Sequence, residues 1–434
     1  MQLNPMRRAI RAALLTGWVL AGVGAVQPAL AQSAGSGPET QTDRTGDALT
    51  LEAAIRRTLE ASALPAVAAA RRDALIAARN AAGLKPQPSV EVTAENFGLP
   101  TGNLYDQFQI TGTYSQRIER GGKRQARVRL ANRDISVAEA EAVVARLDLI
   151  KLVQQGFVES QAASAKVAIA RERLRVAQEL RREVARRVAS AKDPVFAGTR
   201  AQTAVSEAEA DLELAIHTRD AALKRLAIFW NGAPVSEVTE VRSFLDVKPV
   251  PTGVPSVADL AIFEARRSRG QAAVELQRTY EARDLTVSAG PRLLASGGVG
   301  AVAGISVPLG GRRLAQTRVA EAEAEGRRID AELAVERVNR ERAIALAAER
   351  VEESRHEVEL IREDVVDNAE KTLGQVRFGY NRGFFSFADV SAAQQTLVNA
   401  RARVVDAAER HHQARAELDR LTGRFVNLAA GANQ

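Results

Sequence analysis

Two stretches of strict alternation interrupt a chain otherwise patterned for helices. In PSVEVTAEN, Val90, Val92 and Ala94 alternate with Ser89, Glu91 and Thr93. In DQFQITGTYSQ, Phe108, Ile110, Gly112 and Tyr114 alternate with Gln107, Gln109, Thr111 and Thr113. Period two with one apolar and one polar side marks a strand that is dry on one face and wet on the other. The turn-rich FGLPTGN at 97–103 joins the two runs, so residues 88–117 read as a hairpin. A second hairpin is predicted over 284–307. Leu285, Val287 and Ala289, then Val299, Ala301, Ala303, Ile305 and Val307, fall on one face, with LLASGG as the turn.

The remaining pattern is helical. Helix is predicted from Leu49 to about Gly83, interrupted at Pro65. A proline-free run over 122–192 carries Val143, Leu147, Ile150 and Phe157 at the spacing of a packed stripe. At 1.5 Å per residue it would be about 105 Å long, more than a compact domain holds. AKDPVFAGT at 191–199 breaks it, and a return helix follows over 200–230. Residues 231–256, rich in Pro and Gly, read as a connector. The order then recurs: helix from 257 to about 282, hairpin, long helix 311–378, a break at GYNRGFFS (379–386), return helix 387–421 and a polar tail over 424–434. Residues 49–230 and 257–423 are therefore two copies of one plan, a duplication rather than a short-period solenoid.

The corners repeat as well. IERGGKRQAR at 118–127 and VPLGGRRLAQ at 307–316 both pass from strand to helix through a glycine pair and two cations. Gly121, Gly122, Gly310 and Gly311 are expected at corners whose torsions suit glycine. Lys123, Arg124, Arg312 and Arg313 are expected at a membrane–water boundary, where long cationic side chains snorkel. A phosphate loop is excluded, because the Gly spacing and the following Ser/Thr are absent.

Hairpins with one dry face suit a transmembrane barrel, lipid outside and a wet lumen within. Four strands cannot close one, since the minimum is about eight, and open edges are not tolerated in a bilayer. Several copies must share the barrel, most simply as a ring. Two copies would give eight strands and three would give twelve; pattern alone does not choose. The long helices have no uncharged run of membrane length, so they lie in water and would extend the barrel as a hollow tube of about 100 Å. The competing picture is a solid coiled coil without a lumen, and the hairpins argue against it.

Composition adds an address. Arg7, Arg8 and Arg11 precede the uncharged stretch Ala12 to Val26, and ALA at 29–31 is a cleavage site, so 1–31 reads as a secretory signal and 32–48 as a loose leader. Losing 1–31 removes three Arg and no acid. The charge then falls from +7 to +4, with 57 basic against 53 acidic residues. Charges of both signs interleave, and no basic block points to nucleic acid. There is no Cys, hence no disulfide and no N-terminal lipid attachment through Cys; both Met lie in the signal.

By its motifs the chain resembles the TolC-type outer-membrane channels of efflux and type I secretion, and within them the CzcC-type heavy-metal branch. AENFG (94–98), QRIERGGKRQAR (116–127), LTVSAG (285–290), ISVPL (305–309), GYNRGFFSFADVSAAQQTL (379–397) and HHQARAELDRLTG (411–423) carry the resemblance through their order and spacing. It implies a homotrimer with a twelve-stranded barrel in the outer membrane of a Gram-negative bacterium and a helical tunnel in the periplasm. A periplasmic adaptor and an inner-membrane proton-driven pump of the RND type are the implied partners. It also implies that the membrane-distal turns, Asp193–Thr199 and Gly379–Ser386, form the gate and adaptor contact. Asp193, Pro194, Gly198, Gly379, Arg382 and Gly383 are the tip residues there. Tyr380 and Asp389 match gate positions, whereas the second acid of the family's ring is replaced by Ala392. The alternative for Asp389 is a helix N-terminal acid, and for Tyr380 a packed tip aromatic.

No cofactor is expected, and no enzyme. His217, His356, His411 and His412 are the only histidines, and the adjacent pair points to different helix faces. No nucleophile or triad signature is found. Three functions compete: a metal-efflux channel, the same channel serving drugs or secreted proteins, and a pore-less periplasmic coiled-coil or adaptor protein.

Overall fold

The computed structural model describes residues 48–96, 108–232, 235–241, 243–249, 253–294 and 296–431. The expected signal, most of the leader and the FGLPTGN link lie outside the described residues. The fold is mainly helical with one small antiparallel sheet. α1 (Leu51–Ala61) is capped by Thr50, whose side chain accepts from the Ala53 amide at 3.1 Å. α2 (Leu64–Ala82) starts directly after the two-residue break at Ser62–Ala63, with Pro65 in its first turn, where no amide is needed. β1 (Ser89–Glu95) and β2 (Gln109–Ile118) form the first hairpin.

The longest element is α3 (Lys123–Ala189), 67 residues and so about 100 Å. Leu147, Ile150 and Phe157 of its predicted stripe are buried. α4 (Val195–Ile228) runs back along it. The second copy is α5 (Val257–Thr279), β3 (Leu285–Leu294), β4 (Val299–Ser306), α6 (Arg312–Leu360), a π-helical stretch (Ile361–Val366), α7 (Asp367–Arg382) and α8 (Phe387–Thr422). The helix expected over 311–378 is thus two α-helices joined by a π turn, and it continues to Arg382.

Two regions read as irregular are tied down. Within the connector, Phe244 is buried in a short 3-10 turn at Ser243–Leu245, and Val238 pairs with Leu49. The tail expected to be polar holds α9 (Val426–Gly431), whose Ala429 is buried and accepts from Arg146 Nη1 at 2.8 Å. Within the second copy, Arg420 of α8 clamps Asp259 of α5 through both terminal guanidinium nitrogens, at 2.8 and 3.1 Å, and its Nε reaches across to Asp148 of α3 in the first copy at 2.7 Å. Such planar, charge-assisted bonds fix register as well as contributing energy.

Candidate functional site

The four strands pair as one sheet in the order β1-β2-β3-β4. Partners across a ladder point to the same side, so the registers decide the faces. Val92 faces Gly112, Ile110 faces Leu293, and Val287 faces Ile305. The two dry faces read from sequence therefore merge into one. It runs through Val90, Val92 and Ala94, then Ile110 and Tyr114, then Val287, Ala289 and Leu293, to Val299, Ala301 and Ile305. Val90 is 74% exposed, Val92 71%, Val299 74% and Ile305 75%. The other face carries Glu91, Thr93, Thr111, Thr113, Ser115, Thr286, Ser288 and Arg292, and Arg292 donates to Thr111 Oγ1 at 3.1 Å. Among the described residues, the outer edges of β1 and β4 have no strand beside them. A continuous exposed apolar face of this size marks a surface that something else covers. No described helix is long and apolar enough to cross a membrane, which says nothing of a barrel.

The twin corners turn out unequal. Gly121 and Gly122 both have φ +75°, and Gly310 and Gly311 have φ +152° and +89°, so all four use backbone that side chains disfavour. Gly121 is needed for space too, because a Cβ there would lie 2.5 Å from the Ala282 Cβ. Lys123 does not snorkel out as expected; its side chain is buried. Its Nζ donates to Asp284 Oδ1 at 2.6 Å and to the Ala282 carbonyl at 2.8 Å, and sits 5.3 Å from the centre of the Tyr280 ring. Asp284 also accepts from Arg117 Nε and the Arg120 amide. Burial strips water from both charges, so they pair with each other rather than snorkel. Arg312 and Arg313 at the second corner are exposed.

At the other end, α3, α4, α7 and α8 meet in an apolar cluster of Leu180, Val184, Ala197, Tyr380, Phe387, Val390 and Leu397. Within it, Arg187 grips Asp193 with Nε at 2.9 Å and Nη2 at 3.1 Å. Its third nitrogen donates to the Tyr380 carbonyl at 2.9 Å, and the guanidinium lies 4.4 Å from that ring's centre. The Tyr380 hydroxyl donates to Asp193 Oδ2 at 2.6 Å. One carboxylate thus ties the turn of the first copy to the helix end of the second. The Arg187 bond holds the Asp193 carboxyl below the usual range. Burial, then Asp193, push the Tyr380 phenol up. Tyr380 is only 2% exposed.

The other tip residues divide by position. Pro194 is the N-cap of α4, which begins at Val195 rather than 200, so Gly198 lies inside the helix instead of in a break. Gly379 likewise belongs to the last turn of α7; a Cβ there would come within 2.3 Å of the Phe385 ring. The chain reverses at Gly383, in the left-handed region at φ +84°, with the Phe384 amide donating back to the Gly379 carbonyl at 2.9 Å. The Arg382 guanidinium covers the Phe378 ring at 4.0 Å. Asp389 closes a capping box: its Oδ2 accepts from the Ser386 amide at 2.8 Å and hydroxyl at 2.7 Å. Those bonds lower its pKa. Tyr380 and Asp193 come together; Asp389 bonds only within its own helix start. Arg187 does not stand out in the sequence. Its one signal was a basic residue in the last turn of a long helix, six positions before the Asp-Pro break.

Two of the histidines, His411 and His412, are packed inside, whereas His217 and His356 are exposed. His411 Nδ1 lies 3.1 Å from the Val351 carbonyl, and burial pushes its pKa down to about 4. His412 Nε2 lies 2.8 Å from the Phe244 carbonyl. Among the described residues, no group of three or more metal-ligating side chains converges.

The family model described as outer membrane efflux protein matches residues 54–232 and 257–424, the two copies with the connector left out. The cobalt-zinc-cadmium resistance protein CzcC of Cupriavidus metallidurans is 27% identical over 384 residues, covering 87% of this chain and 90% of that protein. The nickel-cobalt-cadmium resistance protein NccC of Alcaligenes xylosoxydans xylosoxydans is 27% identical over 47% of this chain and 48% of its own. Among solved structures, the outer membrane protein VceC of Vibrio cholerae superposes with a TM-score of 0.63, at 20% identity, over 86% of this chain and 96% of that one.

Proposed function

The chain belongs to the outer membrane efflux protein family, and from that premise we propose that it is the passive, gated exit duct of a tripartite proton-driven export system for divalent heavy-metal cations. Three copies close a twelve-stranded barrel, and their long helices continue it as a tube toward a periplasmic adaptor and an inner-membrane RND pump. The signal over 1–31 is removed on export. The observation that carries the duct is the merged apolar sheet face with two open edges; a lipid-embedded ring satisfies both. The metal cargo rests on the resistance proteins that the chain is similar to. A duct needs no tight metal site, so the structural role of His411 and His412 does not oppose that cargo.

A deletion strain tests it. Growth is measured on zinc, cobalt, cadmium, nickel, copper and silver, with dyes and antibiotics alongside. Loss of tolerance to the divalent metals, restored by the gene in trans, is the expected result. Sensitivity to drugs with unchanged metal tolerance would move the duct to general efflux.

A further inference from the structure

We infer that the first strand-to-helix corner holds a phospholipid headgroup through its phosphate. A cavity of about 740 Å³ opens there, lined among others by Lys85, Arg117, Glu119, Lys123 and Arg124, and by Gln116 and Ile118 of β2. Three features give it a ligand class. First, its charge is unbalanced. Lys85, Arg117, Lys123, Arg124 and the neighbouring Arg127 are five cations against two carboxylates, Glu119 and Asp284. Both carboxylates are already engaged: Arg127 holds Glu119 with two nitrogens, at 2.5 and 3.0 Å, and Lys123 and Arg117 share Asp284. Lys85 and Arg124 are the cations left over to meet an anion.

Second, the cavity sits where the apolar face ends. Gln116 and Ile118 are the last two residues of that face in β2, and Ile118 is 44% exposed. Gln116 is the polar exception on it, and its Nε2 is spent on the Pro86 carbonyl at 3.0 Å, fixing the Lys85–Pro88 wall. Third, the surroundings are amphipathic. Leu84 is 65% exposed beside Lys85, so acyl chain and phosphate would meet matching partners at one level. An anion with an apolar tail fits this; a free anion would use only half of it. Cations near a lipid surface contribute about 1 kcal/mol each. The second corner, with Gly310 and Gly311 in open space, is not among these walls.

The inference rests on the sheet being in a bilayer, and its test separates the two. Purified oligomer in a non-ionic detergent is titrated with phosphatidylglycerol and, separately, with diacylglycerol and with inorganic phosphate. Bound species are counted by native mass spectrometry, for the wild type and for the K85Q/R124Q variant. Both changed side chains are outside the buried Lys123–Asp284 pair, so assembly should persist. The expected result is phosphatidylglycerol adducts on the wild type, about 30-fold weaker in the variant, and no adducts with diacylglycerol. Equal binding by the variant, equal binding of diacylglycerol, or occupancy by inorganic phosphate alone would overturn the headgroup site while leaving the barrel intact. Failure to recover any membrane oligomer would instead overturn the barrel.

Discussion

Asp284→Ala is expected to abolish most assembly of the protein, with a cost of about 3–5 kcal/mol per chain from leaving a buried cation without its partner. Lys123 is 6% exposed at its side chain and Asp284 8%, so water cannot replace the lost bond. The pair also holds the start of β3 against the corner that follows β2. Its loss therefore loosens the β2–β3 junction, the seam between the two copies inside one chain. The readout is the yield and thermal midpoint of detergent-solubilised oligomer. K123M/D284L should recover part of the loss, because a matched apolar pair leaves no stranded charge. Arg312→Gln and Arg313→Gln, which remove exposed cations at the second corner, should stay within about 0.5 kcal/mol of wild type. Equal effects at the two corners would show that burial does not separate them.

Asp193→Ala is expected to open the tip. It removes both Arg187 bonds and the Tyr380 hydroxyl bond at once, worth about 3 kcal/mol together where hydrogen bonds reach charged groups. If those bonds exist only in the closed state, the closed-to-open ratio falls on the order of 100-fold. Single-channel conductance in planar bilayers reads it directly. Tyr380→Phe deletes one of the three bonds and should open the tip less. Asp389→Ala should loosen the closed state more weakly still, through the first turn of α8; unchanged conductance would remove Asp389 from the gate. The pH dependence has a definite sign. The folded Asp193 carboxyl lies below its ordinary value, so its contribution is fully present above the usual carboxylate range. It is lost only as pH falls through the depressed value. Conductance should stay low through neutral pH and rise only in strong acid. A rise on the alkaline side instead would point away from Asp193.

The plan of the molecule was open to reading because its signals are local. Alternation at Val90–Ala94 and Val299–Ile305, the proline-free run before Asp193 and the recurring glycine pairs each depend on neighbours in the chain. What sequence could not supply was set by contacts between distant residues. Lys123 and Arg312 occupy equivalent places in twin motifs, yet only Lys123 has a carboxylate waiting 161 residues away. Tyr380 and Asp193 each stand out in the sequence, but the bond between them spans 187 residues, and Arg187, which organises it, reads as one surface cation among many. Ser386 and Asp389, three apart, formed a capping box that the short spacing does announce. Helix ends moved by a few residues for a similar reason: Gly198 and Gly379 look like breakers, but α4 and α7 keep them because packing outweighs a single glycine's cost of about 1 kcal/mol.

Disulfide trapping of the open edges tests the shared barrel most directly. The chain has no cysteine of its own, so pairs can be placed without background. Val92→Cys on β1 is combined in turn with Ala301→Cys, Ala303→Cys and Ile305→Cys on β4, and intact cells are oxidised. Within one chain the two strands are three spacings apart, about 14 Å, too far for a disulfide. Any bond must then join neighbouring copies. A ladder of bands ending at three chains, for at least one of the pairs, is the expected result. No crosslink for any pair in membranes that contain the protein, or a ladder ending at two, would contradict a twelve-stranded barrel closed by three copies.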